Sequence, residues 1–215
     1  MRDDYASEVR FWDGVLAGRS HQENLADLLS GGEAHFPKKM LEYNPTDVLE
    51  VGSGPLSTLR WGVDTSLLKV TAIDPLANRY AELLLAHGID YPIKPVFGTG
   101  EIVNLYRDNP FDVAYARNSL DHTISPPQVF KAMCMAVDIG DIIYIESSTN
   151  EGRRGKYRGL HHHNLWMENG VLMHSVGETE GADISSEYAE LIHQDEEPVF
   201  LDSEGSFTAI FKRGK

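Results

Sequence analysis

The stretch Val48-Leu49-Glu50-Val51-Gly52-Ser53-Gly54-Pro55 decides the fold. Its first half, with Asp47 ahead of it, is a short apolar run of strand length. Its second half carries two glycines and a proline, which end a strand and turn the chain. Glycine at 52 and 54 lets the backbone bend sharply and approach a ligand closely, in the crevice beyond the strand's carboxyl end. The next apolar run, Val70-Thr71-Ala72-Ile73, closes on Asp74, twenty residues after Gly54. An acidic side chain there accepts hydrogen bonds from both hydroxyls of a ribose. Strand, glycine turn and acid together are more specific than two glycines alone, which also occur in ordinary tight turns.

Outward from this turn the chain alternates between strands and helices. Strands are expected at 47–51, 70–73, 95–97, 111–115 and 142–145, with helices at 76–87 and 127–137. Tyr80, Leu83, Leu84 and His87 share one stripe of the first of these helices. This alternation predicts a parallel sheet covered on both faces. Upstream, Val9, Phe11, Trp12, Val15 and Leu16 recur at helical spacing. Leu25, Leu28 and Leu29 do so again after Ser20, a candidate N-cap, until Gly31-Gly32 ends the pattern. A third short helix follows Pro37. Downstream, Asn169-Gly170 between two apolar runs marks a hairpin over 164–176. A helix is expected at 185–193. Strands at 199–201 and 207–211 then close the chain as an antiparallel pair around residues 202–206.

The 215 residues suffice for one α/β domain with an added segment. No apolar run approaches the roughly 20 residues of a membrane span, so no membrane partner is expected. Met1-Arg2-Asp3-Asp4-Tyr5 is polar, unlike a secretory signal. A single cysteine, Cys134, leaves no intramolecular disulfide and no cysteine-rich metal site. Both features fit a cytoplasmic setting. The net charge of −14, from 19 Lys and Arg against 33 Asp and Glu, repels a phosphate backbone. The one basic stretch, Arg153-Arg154-Gly155-Lys156-Tyr157-Arg158, is short and reads as a solvated loop, so no nucleic-acid partner is expected.

The glycine turn also bears on the ligand. Dinucleotide sites read G-x-G-x-x-G, and the last glycine lets a helix cradle pyrophosphate. Here the chain continues Pro55-Leu56-Ser57, and Glu50 ahead of the glycines suits a cation better than an anion. S-adenosylmethionine (SAM) carries a sulfonium and an amino group and no phosphate, so SAM is favoured over NAD.

Residues 48–55 resemble the first motif of the class I SAM-dependent methyltransferases, and Val70 to Ala77 resemble the second. Gly98-Thr99-Gly100-Glu101 is similar to the family's adenine-side loop, with Thr99 where many relatives carry aspartate. Phe111 to Asn118 resembles the fourth-strand motif. The resemblance covers 46–146 and extends through the closing strand pair. It implies a Rossmann-like α/β fold with a seven-stranded, mostly parallel sheet, an antiparallel C-terminal strand pair, and helices on both faces. Residues 1–45 would form a helical lid and 46–215 the SAM-binding domain, with an acceptor-side insertion at 150–180. The implied cofactor set is Glu50, Gly52, Ser53, Gly54, Pro55, Asp74, Pro75, Leu76, Thr99, Gly100, Glu101, Arg117 and Asn118, with S-adenosylhomocysteine (SAH) as product. More narrowly, Arg117-Asn118-Ser119-Leu120-Asp121-His122, Asn150-Glu151-Gly152 and Tyr157-Arg158-Gly159-Leu160-His161 resemble an uncharacterised bacterial subfamily. Its members pair an "RNALDH"-type motif with an "NEA…GLHQWN"-type segment. Gly152, and His162-His163 in place of Gln-Trp, depart from that pattern on the acceptor side.

Methyl transfer is an in-line displacement in which positioning and desolvation carry much of the catalysis. An oxygen or nitrogen acceptor also needs a base. In this fold the fourth strand's end faces the methyl group, so His122 is the natural base, Asp121 its orienting partner and His161 the alternate base. The competing reading has Asp121 capping the next helix and His122 packing beneath the cofactor. On a strand, His161 and His163 would share a face and His162 would point away. Asn150, Glu151, Tyr157, His161 and His163 form the substrate-side set. No metal is assigned: His161 and His163 would need partners such as Glu146, Glu151 or Asp121, zinc wants a closed N/S set, and magnesium prefers oxygen. Trp12 and Phe11 would wall the acceptor pocket or belong to plain core. The expected activity is methylation of an oxygen, or nitrogen, of a small hydroxylated molecule such as a sugar or secondary metabolite. The alternatives are a SAM-binding sensor or complex subunit without catalysis and, behind it, a nicotinamide-dependent oxidoreductase. The hairpin offers a strand edge for a homodimer.

Overall fold

The computed structural model describes residues 3–19, 25–29, 36–106, 109–192, 199–203 and 205–215. The Ser20 cap, His21, the Gly31-Gly32 stop, His193 and Glu204 of the final turn lie outside them. In chain order the elements are α1 (Asp3–Leu16), α2 (Leu25–Leu29), β1 (Asp47–Val51), α3 (Arg60–Asp64), β2 (Lys69–Asp74), α4 (Ala77–Ala86), β3 (Val96–Phe97), β4 (Phe111–Arg117), α5 (Pro126–Ala136) and β5 (Val137–Ser148). The chain continues through α6 (Glu151–Arg154), β6 (His163–Glu168), β7 (Val171–Val176), β8 (Ala182–Asp183), α7 (Ile184–Glu187), β9 (Val199–Ser203) and β10 (Ser206–Lys212). The third N-terminal helix is a 3₁₀ turn, Lys38–Tyr43, with Pro37 at its N-cap.

The main sheet runs β3-β2-β1-β4-β5-β10-β9, parallel from β3 to β5 and antiparallel at β10 and β9. Chain order leaves β1 towards β2 on one side and resumes at β4 on the other. A crevice therefore opens at the carboxyl ends of β1 and β4, the switch point where such sheets bind ligands.

Burial on both faces explains why the central strands are almost continuously apolar. Along β1, Leu49 and Val51 face α5, where they meet Val129, Phe130 and Met133. Val48 faces the other way, into a core with Val15, Leu16, Leu28 and Leu84 from the N-terminal helices and α4. Glu50 alternates onto that second face, so its carboxylate is forced into an apolar layer. Cys134 is buried in α5, where desolvation pushes its thiol up to about 12, consistent with an inert packing residue.

Two expected elements differ most in extent, and α3, α6 and β8 are additions to the expected order. The fifth strand runs from Val137, not from 142, and a register shift after Phe111 accommodates the extra length. The helix expected at 185–193 is only α7 plus a 3₁₀ turn, Ala189–Leu191. Ser185 Oγ accepts from Leu172 N and donates to Asp183, so it ties the segment to β7, and Tyr188 leaves helical geometry.

The hairpin forms as the Asn169-Gly170 pair dictates, with positive φ of 50° and 82° at its two central residues. β8 adds to β7 and covers that edge of the hairpin. A Gly170→Ala substitution is expected to cost about 1 kcal/mol, lowering the melting temperature by roughly 3 °C. Thermal unfolding followed by circular dichroism measures this, and an unchanged midpoint would contradict a left-handed residue there.

Candidate functional site

The crevice at the ends of β1 and β4 deepens into a cavity built on the glycine turn. Gly52 and Gly54 have φ of 70° and 62°, a region side chains with a Cβ avoid. Space is equally demanding. A Cβ on Gly52 would stand 2.4 Å from that of Ser119, whose Oγ donates to Val51 O at 2.7 Å. A Cβ on Gly54 would meet the Trp12 ring at 3.0 Å. The turn thus lies directly between the β4 loop and α1. Gly52→Ala is expected to destabilise the fold by about 3 kcal/mol, combining left-handed strain with overpacking. A denaturant midpoint unchanged by the substitution would refute this packing.

Asp74 ends β2 beside the turn. Its Oδ2 accepts from Gly54 N at 3.0 Å and its Oδ1 from Leu76 N at 2.7 Å. Burial nevertheless raises its carboxyl to about 6, against the pull of those two donors, and nearby Glu8 adds to the rise. Glu50 is more extreme. It is only 3% exposed, its Oε2 has no hydrogen-bond partner, and desolvation pushes it up to about 8. Ser57 and Arg117 oppose that rise without reversing it. With Glu8 and Glu101 also on the wall, the cavity is acid-lined, and Arg117 is the one basic Lys or Arg side chain among its described lining residues.

Helix α1 closes the cavity from above. Tyr5, Glu8 and Trp12, spaced i, i+3 and i+7 on one helical face, all line it, and Trp12 Nε1 donates to Glu8 at 2.9 Å. Of the three, the sequence singles out only Trp12, because Tyr5 and Glu8 are polar and fall outside an apolar pattern. Thr58, and Tyr80, which the sequence assigns only to a helical stripe, also line the cavity. Of the expected cofactor set, Glu50, Gly52, Ser53, Gly54, Asp74, Pro75, Leu76, Thr99, Gly100, Glu101, Arg117 and Asn118 line the cavity, and Pro55 lies behind it, buried. Glu101 also braces the wall, accepting from Ile124 N at 2.9 Å.

On the acceptor side the fold joins residues forty apart in sequence. Asp121 and His122 sit in a 3₁₀ turn, Leu120–His122, after β4. Helix α5 is capped by Ser125, which accepts from Gln128 N, so Asp121 is not its cap. Asp121 Oδ2 instead meets His161 Nδ1 at 2.7 Å, and this hydrogen bond raises the proton affinity of His161. His122 Nε2 lies 3.0 Å from that same Nδ1 and 3.4 Å from Asp121 Oδ2. Of the three, His122 lines the cavity and Asp121 is buried.

The other expected substrate-side residues are not brought to the cavity. His163 is buried, with its ring nitrogens on His174 Nε2 at 2.9 Å and Thr123 O at 3.0 Å, so it does not share the site with His161. Burial, and after it the neighbouring His163, lowers the pKa of His174 to about 4. Tyr157 donates to Gly177 O at 2.7 Å. Asn150 adopts a left-handed conformation ahead of α6, and Glu151 pairs with Arg154 at 3.6 Å. His162 points away, 3.5 Å from Asp4.

No family model matches the sequence, and neither does any curated protein. Solved structures match in fold. A S-adenosylmethionine-dependent methyltransferase from Clostridium acetobutylicum aligns over 98% of this chain and 99% of its own, at 13% identity and a TM-score of 0.53. The N-methyltransferase NodS from Bradyrhizobium japonicum aligns over 85% and 96%, at 13% identity and the same score of 0.53. An O-methyltransferase family protein from Burkholderia thailandensis aligns over 88% of this chain and 55% of its own, with 10% identity and a TM-score of 0.53. At such identities what is shared is the fold: mixed α/β, with a mostly parallel central sheet and an antiparallel strand pair. Function has to be argued from the site.

Proposed function

We propose that this chain is a SAM-dependent methyltransferase acting on an oxygen of a small hydroxylated molecule. The observation that carries the reading is the acid-lined cavity at the switch point, with a buried Glu50 carboxylate in its wall whose Oε2 has no hydrogen-bond partner, and the Asp121–His122–His161 cluster at its edge. A buried carboxylate with one oxygen left without a donor is costly unless a cation meets it. The ammonium and sulfonium of SAM supply such charge, whereas the pyrophosphate of a dinucleotide would face Glu50, Asp74 and Glu8. Glycine at 52 and 54 leaves the space a close-lying ligand needs, and Asp74 keeps a free lone pair on each oxygen for ribose hydroxyls.

When bound, SAM supplies an activated methyl group and leaves as SAH. The chain's own residues do the rest. Arg117, 3.6 Å from Glu146, receives the cofactor carboxylate. Thr99, Gly100 and Glu101 flank the adenine. Helix α1 serves as the lid, with Tyr5, Glu8 and Trp12 excluding water and limiting the acceptor to a small molecule. The Asp121–His122–His161 cluster promotes the loss of the acceptor hydroxyl's proton. Glu151 and Asn150 form the outer rim of the acceptor side, while Tyr157 and His163 position the segment that carries His161. An amine acceptor is the second reading, favoured by the same acidic lining, which draws cations.

Incubating the protein with methyl-labelled SAM and a metabolite extract tests this directly. A small labelled product is expected. Label found only in protein or nucleic acid, or none transferred, would overturn the assignment.

A further inference from the structure

Three polar atoms converge at the acceptor edge of the cavity. His161 Nδ1 to Asp121 Oδ2 is 2.7 Å, His161 Nδ1 to His122 Nε2 is 3.0 Å, and His122 Nε2 to Asp121 Oδ2 is 3.4 Å. A hydrogen-bonded triad explains this poorly. A ring nitrogen has one in-plane direction, filled by either a proton or a lone pair, so His161 Nδ1 makes one linear hydrogen bond and not two. With a proton on Nδ1 aimed at Asp121, His122 Nε2 is left with no linear bond and only the 3.4 Å contact to Asp121; without that proton, the Nδ1 lone pair faces Asp121 Oδ2 at 2.7 Å. Asp121 is also 2% exposed, and among the described residues its side chain has only the two imidazoles for polar partners.

A cation offers a fuller resolution, because three ligand atoms within 3.4 Å of one another are close enough to share one metal ion. Three donors on one face of an octahedral shell with bonds of about 2.1 Å stand about 3 Å apart, and a tetrahedral shell spreads them to about 3.4 Å. The observed edges centre on the octahedral value. Two imidazoles and one carboxylate on a single face is also a donor set suited to first-row transition metals, leaving the opposite face open. The supporting frame is in place. The Asp121–His122 turn is closed by His122 N and Thr123 N donating back into it, and His163 fixes Thr123 O from the other side.

We infer that Asp121, His122 and His161 bind a divalent first-row transition-metal ion that ligates the hydroxyl oxygen of the methyl acceptor. This rests on the methyltransferase reading and deepens it by naming how the acceptor is held. On the cation the acceptor oxygen ionises at neutral pH and its proton passes to solvent. The oxygen's electron pair then forms the new C–O bond, the methyl–sulfur bond breaks, and its electron pair goes to sulfur. The substrate class narrows to molecules with an ionisable hydroxyl, or two adjacent oxygens, that can enter an open coordination shell.

The full chain, stripped with chelator and dialysed, is titrated with Co²⁺ while its visible absorption is followed, then with Zn²⁺ in competition. One Co²⁺ per chain is expected, with the weak bands of a six-coordinate site, displaced by Zn²⁺. Asp121→Asn and His161→Gln are each expected to weaken binding at least about tenfold, with the thermal midpoint and SAH affinity of each variant showing that it is folded. No stoichiometric Co²⁺ binding, or binding equally tight in both variants, would overturn the inference. Full methyl transfer in chelator would also overturn it while leaving the methyltransferase reading intact. Cation binding without SAM binding would instead remove that reading and keep the metal site.

Discussion

His122→Asn is expected to lower kcat for methyl transfer by about 10²- to 10⁴-fold, the range a positioned proton-handling group contributes, with SAM affinity unchanged. The expectation follows from where the side chain sits. His122 lines the cavity, yet it stands beyond the glycine turn and Asp74, with its Nε2 against His161 and Asp121. Asparagine keeps a polar group of smaller reach and removes the imidazole lone pair. Loss of that lone pair harms the step in which the acceptor oxygen sheds its proton, whether the imidazole acts through a bound cation or alone. It leaves the cofactor's contacts in place. Single-turnover kinetics with labelled SAM, together with calorimetric SAM binding, separate the two quantities. A variant that loses SAM affinity and turnover together would place His122 beneath the cofactor, the packing role that the sequence also allowed. A variant with unaltered turnover would remove the cluster from the chemistry altogether.

The unequal legibility of the two halves of the site has a physical cause. The cofactor side is local: Gly52, Gly54 and Asp74 are fixed by what a strand, a tight turn and the next strand end require, and those demands act on residues close in sequence. The periodicity of apolar residues likewise sets the order of strands and helices, because burial on both faces leaves few polar positions in β1 or β4. The acceptor side is assembled from segments forty residues apart, and nothing local in His161-His162-His163 says which ring turns toward Asp121. The strand alternation that would pair His161 with His163 fails because β6 begins only at His163 and His161 lies in the preceding turn. The lid was half-legible. Trp12 could be read as aromatic, but Tyr5 and Glu8 gave no apolar signal, since they face a polar cavity and not the core. The helix expected at 185–193 failed for a third reason: Ser185 is captured by β7 and Asp183, and tertiary hydrogen bonding outweighs a weak local preference.

Glu50→Gln is expected to act in opposite directions on the empty and the SAM-bound protein, and its sign depends on pH. In the empty protein the Glu50 carboxyl titrates at about 8, against an ordinary 4.5, because burial penalises its charge. Between those two values the folded state holds a proton that the unfolded chain has released. The contribution of Glu50 to stability is therefore greatest below pH 4.5 and fades as pH rises toward 8. Glutamine has no charge to bury, so the variant should match the parent in acid and unfold at a higher temperature at pH 8, a difference of a few kcal/mol. Binding runs the other way. A cationic ligand stabilises the ionised carboxylate, so SAM should expel a proton from Glu50 below pH 8, and its affinity should climb with pH. Asp74, raised to about 6, adds a lower step to the same climb. Removing the Glu50 charge should cost about 10- to 100-fold in SAM affinity at pH 8, the worth of a charge-assisted contact in a buried site, and should flatten the upper step. Adenosine, which carries neither ammonium nor sulfonium, should bind parent and variant alike. Calorimetry across pH 5.5 to 8.5, in buffers of different ionisation enthalpy, counts the protons released. A parent protein whose SAM affinity is flat through this range would mean that Glu50 does not face the cofactor's positive charge. The acid-lined wall of the cavity would then need another ligand to explain it.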